Sequence, residues 1–302
     1  MRNALSDLIT ESASNDPNSI VLSGDHGYAL FDAIRKKHPN QFLNVGVMEQ
    51  AMIGIAAGLC KQGFRPTVYG LSAFVPIRVL EQIKLDVCYP CLPVTFIGDG
   101  AGLVYSTLGV SHQCAEDVAA LRALPNLRIY SPCDAEELRA VYRDMRGFSG
   151  PSYIRIGKGD RPVVNAAPLE SGVEPHYTVA GKAGACLVAT GSMVSISTQM
   201  GRELGLSVLS VPKLKPLSDR IVAELSRFQE IIVLEEHSRH GGLASALAEL
   251  LCELPHGRAP RLRAITLKEK FAEKCGTYQY ALSEHEMADH QIKGRISQLL
   301  GL

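Results

Sequence analysis

Short apolar runs alternate with amphipathic stretches of helical length from one end of this chain to the other. Residues 2–15 read as an amphipathic helix closed by Asn15-Asp16-Pro17, and Ile20-Val21-Leu22 as a short strand. That strand runs into Ser23-Gly24-Asp25-His26-Gly27, small and polar residues at a strand's C-terminal end, where ligands bind in parallel α/β sheets. A helix over 30–37 and a strand over 42–45 follow, and the strand turns tightly at Gly46. Beyond the turn, Met48, Met52, Ile55, Ala56 and Leu59 have the three-and-four spacing of a buried helical stripe. Strands are predicted at 66–70, 93–98, 127–131 and 153–156, with helices at 76–88, 116–123 and 134–145. Such alternation predicts βα units around a mostly parallel sheet covered on both faces.

The pattern lapses in Val163-Val164-Asn165-Ala166-Ala167-Pro168, and a second α/β unit starts near Ala185. Its strands are expected at 186–190, 207–211, 231–234 and 261–266. Helices are expected from Gly191-Ser192, over 243–253 and over 284–299. The expectation is two α/β domains, residues 1–162 and a smaller 179–302, joined by a linker at 163–178.

One acid interrupts the stripe after Gly46. Glu49 lies in the first helical turn, where the macrodipole favours a carboxylate. Its neighbours Met48, Ala51 and Met52 suggest an apolar pocket, and a carboxyl in such a pocket gains proton affinity and can act as a proton partner. Phe74 follows the strand at 66–70 and so lies at its C-terminal end, although the default reading of a lone Phe is core. His112 sits in a long loop, Gly109-Val110-Ser111-His112-Gln113, and both a surface and a site reading stand for it. Asp25 and His26 occupy the first strand-end loop. Gly54 and Gly58 have the GxxxG spacing of close helix packing.

Composition narrows the function classes. Of 302 residues 46% are hydrophobic and 21% charged, which is globular, and the formal net charge is zero. No overall basic field exists to hold nucleic acid or an anionic membrane. No apolar run approaches the ~20 residues of a membrane span, and the first residues lack a signal-peptide core. The eight cysteines are scattered apart from Cys88-Tyr-Pro-Cys91, which is not placed to open a helix and has no second pair to complete a zinc site. Isolated thiols suit a reducing cytoplasm, and a cytoplasmic location is expected.

The motifs taken in order carry a resemblance. Asn44-Val-Gly-Val-Met-Glu-Gln-Ala-Met, then Ser72-Ala-Phe, then Phe96-Ile-Gly-Asp-Gly with Ser111-His-Gln, then Leu124-Pro-Asn-Leu-Arg-Ile resemble the pyrimidine-binding domain of the transketolase family. Val233-Leu-Glu-Glu-His-Ser-Arg-His-Gly-Gly-Leu and Phe271-Ala-Glu-Lys-Cys-Gly-Thr-Tyr resemble that family's C-terminal domain. The family's N-terminal diphosphate-binding domain has no counterpart here, so the chain resembles the C-terminal subunit of a split transketolase.

That resemblance implies a thiamine diphosphate-dependent enzyme transferring a two-carbon ketol unit from a ketose or ketose phosphate to an aldehyde. It implies that Glu49 hydrogen-bonds the aminopyrimidine N1′, that Phe74 stacks on the pyrimidine, and that His112 lies near substrate oxygens. Asp25, His26 and Lys158 become substrate-facing candidates. The implied partner is the diphosphate-binding subunit, in an α₂β₂ assembly, with Mg²⁺ ligands on that partner. Gly98-Asp99-Gly100 followed by Asn126 has the spacing of the family's diphosphate–Mg²⁺ motif. It reads as a coincidence, because Asn126 precedes Leu and lies in a pyrimidine-domain motif. Departures from the family are Gly100, where relatives have His or Arg reaching a phosphate, Leu108 in place of an acid, and Lys158 in place of an Arg. Either the acceptor pocket is altered, or Lys158, Arg155 or the partner supplies the missing charge. A β subunit of a 2-oxo acid dehydrogenase and a non-catalytic scaffold of the same fold are the competing readings.

Overall fold

The computed structural model describes residues 1–157, 161–182, 184–255 and 257–302. Lys158, a predicted substrate-facing residue, lies outside the described residues. The first half contributes β1 (Ser19–Ser23), β2 (Phe42–Asn44), β3 (Arg65–Leu71), β4 (Thr95–Asp99), β5 (Arg128–Tyr130) and β6 (Ser152–Ile156). The second contributes β7 (His176–Val179), β8 (Ala185–Ala189), β9 (Ser207–Ser210), β10 (Lys213–Lys215), β11 (Glu230–Ser238) and β12 (Arg261–Leu267). The sheets have the orders β10-β5-β6-β4-β3-β1-β2 and β12-β11-β8-β9-β7. Pairing is parallel except for β10 on β5 and β7 on β9. The α/β fold with mostly parallel sheets is as the alternation predicts. Strands β1, β4, β6 and β8 are buried along their whole length, as both-face coverage requires.

The differences are local. His176–Val179, read as the end of the linker, is an edge strand. The helix expected at 76–88 is broken into a 3₁₀ turn (Ile77–Val79), a short α turn (Leu80–Gln82) and a π segment (Ile83–Cys88). The last helix, expected over 284–299, runs instead over Asp289–Leu300, and a separate short helix, Tyr278–Glu284, precedes it. His285 ends the short helix, and Ala288 stands at the N-cap of the last one.

The two halves share a core. β10 leaves the second half to pair with β5 at the edge of the first sheet, and one buried apolar cluster runs from Met52, Ile53 and Phe96 to Val188, Leu209 and Val233. The stripe on the helix Glu49–Lys61 is Met52, Ile53, Ala56, Ala57 and Cys60, whereas Met48 is half exposed. Gly54 and Gly58 are exposed, and a Cβ on either would meet nothing within 4 Å. The close packing expected from their spacing is not made within this chain.

Candidate functional site

Glu49 opens its helix directly after the turn at Gly46, whose φ of 77° places it in the left-handed region. The Glu49 side chain is buried, at 4% exposure. The surround is not the purely apolar pocket expected: Arg78 Nη1 donates to Glu49 Oε2 at 3.1 Å. Glu49 Oε1 is buried and has no hydrogen-bond partner among the described residues. A buried carboxylate oxygen left without a donor is costly, so this atom is poised to take one.

Phe74 is half-buried and stands outside the core. The Arg78 guanidinium lies 4.1 Å from its ring centroid. Its ring centroid is 5.2 Å from that of His112 and 5.8 Å from that of His26. Glu49, Phe74, His26 and His112, separate in sequence, therefore form one cluster with Arg78. Asp25 borders it: its N–H donates to Asn44 Oδ1 at 3.2 Å, and Asn44 Oδ1 also accepts from the Gly46 N–H at 3.0 Å. Arg78 is the residue that sequence reasoning missed. Its signal is a lone cation four positions after Phe74 in the apolar run Val75-Pro76-Ile77-Arg78-Val79-Leu80.

The loop carrying His112 is held by the second half. Leu103 N–H donates to Glu236 Oε1 at 2.8 Å, Ser238 N–H to Ala115 O at 2.7 Å, and Gly276 N–H to Ser106 O at 3.2 Å. Glu236 Oε2 also accepts from Ser192 Oγ at 2.5 Å and Tyr278 OH at 2.6 Å. Glu235 accepts from the N–H groups of Leu243 and Ala244, satisfying two orphan donors at a helix start. The two acids of the Glu-Glu-His run are thus structural ties.

Asp99 does not form a site with Asn126. Asp99 Oδ2 accepts from Tyr69 OH at 2.7 Å and Tyr105 OH at 3.1 Å. Asp99 ends β4, while Asn126 precedes β5, and Thr95 and Arg128 share the level of Ser152. Four strand residues, about 13 Å, separate those levels. Gly100 has a φ of 76°, and a Cβ there would run into the Tyr105 ring. Arg155, one candidate for the missing charge, is buried: its Nε donates to both Asp117 oxygens at 3.0 and 2.9 Å and its Nη2 to Glu236 O at 2.7 Å. Burial alone would lower its pKa, but Asp117 holds it above the ordinary value.

A buried acid short of a donor, beside a half-exposed aromatic ring that Arg78 covers, on a two-sheet α/β frame, fits one half of a cofactor site, and the relatives of the chain give its family. The models of the transketolase pyrimidine-binding domain and the transketolase C-terminal domain match residues 1–162 and 178–274. The chain belongs to the transketolase family. It is 31% identical over 262 residues to one subunit of the apulose-4-phosphate transketolase of Phocaeicola vulgatus, covering 84% of each chain. It is 31% identical over 290 residues to a 6-deoxy-6-sulfo-D-fructose transketolase subunit of a Clostridium species, covering 90% of this chain and 86% of the relative. A solved split-gene transketolase, described as an inactive beta4 tetramer, superposes with a TM-score of 0.85 at 28% identity over 100% of this chain and 98% of that one.

Proposed function

We propose that this chain supplies the pyrimidine-side half of a two-chain transketolase, moving a two-carbon ketol unit from a ketose to an aldehyde. The observation that carries the reading is the buried, donor-free Glu49 Oε1 beside the half-exposed Phe74 ring. Thiamine diphosphate, when bound, supplies the carbanion chemistry. Glu49 would hold the proton at the aminopyrimidine N1′, and Phe74 offers that ring a flat apolar face. Arg78 covers this face and has to move aside. His112 and His26 flank Phe74, where imidazole N–H groups can stabilise charge on substrate oxygens. Asp25 borders the same opening.

The diphosphate and Mg²⁺ ligands are assigned to a second chain, because Asp99 is already held by two tyrosines; an α₂β₂ assembly is part of the same reading. The exposed face Ala51, Gly54 and Gly58, next to Val47 and Met48, is where such a partner could close over Glu49. Two relatives are named for a ketose phosphate and a sulfo-ketose, so a ketose with an acidic terminal group is the proposed donor. A cytoplasmic location is part of the same reading; no described helix is long and apolar enough to cross a membrane. Co-expression with a candidate diphosphate-binding chain tests it: thiamine diphosphate should bind the pair and not the isolated chain. Tight binding by the isolated chain would contradict it.

A further inference from the structure

At the outer edge of the second sheet, β12 borders a groove of about 560 Å³ lined by Arg239, Arg261, Arg263 and Arg295 with Ser245 and Gln298. No described Asp or Glu lines it. Arg263 Nε pairs with Glu230 at 3.2 Å, whereas Arg239, Arg261 and Arg295 make no ion pair among the described residues. Arg295 is half-buried, and burial lowers its pKa with Glu286 opposing. Arg239 and Arg261 face solvent and Arg263 already has Glu230, so the uncompensated charge is concentrated at the half-buried Arg295 beside an alanine and leucine floor. An anion joining this cluster would offset the like-charge repulsion, and the forked guanidinium suits phosphate oxygens. The volume suits a small molecule.

We propose that this groove binds a small organic bisphosphate or polyphosphate, apart from the Glu49 cluster. Arg239 directly follows Ser238, whose N–H holds Ala115 at the end of the His112 loop.

Titration calorimetry of the full chain at low salt, with fructose 1,6-bisphosphate as probe, tests this without cofactor or partner, so its failure leaves the catalytic reading untouched. Saturable binding that weakens with NaCl is expected. Arg261→Gln with Arg295→Gln should reduce affinity about tenfold or more, the scale of losing charged hydrogen bonds. Arg227→Gln, outside the groove, should leave it unchanged. If the double variant does not fold, Arg261→Gln alone, on an exposed strand end, is read instead. No saturable binding, unchanged affinity in the variant, or binding of polyglutamate without the bisphosphate would overturn the proposal.

Discussion

Arg78 Nη1 lies 3.1 Å from Glu49 Oε2 while its guanidinium stacks 4.1 Å from the Phe74 ring centroid, so one side chain covers both groups that would meet the pyrimidine. Arg78→Ala should therefore lower the thiamine diphosphate concentration for half-maximal activity of the assembled enzyme. Losing a cation–π contact and a half-exposed ion pair predicts about threefold to tenfold. A rise would mean that Arg78 holds the cofactor.

Glu236 accepts three hydrogen bonds from Leu103, Ser192 and Tyr278 at 1% exposure. Glu236→Ala leaves those donors unpaired, a cost of about 3 kcal/mol or more. Denaturant unfolding should show that loss, with the His112 loop gaining amide exchange. Unchanged stability would remove the tie from the account.

Burial, then Lys270, lowers the pKa of His285 below its ordinary value near 6.5, with Glu284 opposing. The folded state then binds fewer protons than the unfolded chain just below pH 6.5, so stability falls as pH drops through that value. His285→Gln should flatten the Tm-against-pH curve below pH 6.5 relative to the parent. Parallel curves would contradict this.

The βα alternation made the sheets legible, because strands such as β8 are apolar throughout and β4 has an apolar centre at Phe96-Ile97-Gly98. Glu49, Phe74 and His112 were legible as separate motifs, and only the family resemblance implied that they meet; periodicity and spacing alone do not show it, since it depends on how three loops converge. Arg78 was hidden in an apolar run. A net charge of zero concealed the arginine groove, because the balance is global and the segregation local. The helix Tyr278–Glu284 was missed because its seven residues are too few to display a helical period.

Turnover of a ketose donor by the assembled enzyme carrying Glu49→Gln tests the central claim most directly. Loss of proton transfer predicts a fall in kcat of about 10²–10⁴ with the fold intact. Activity equal to the parent's would contradict the account.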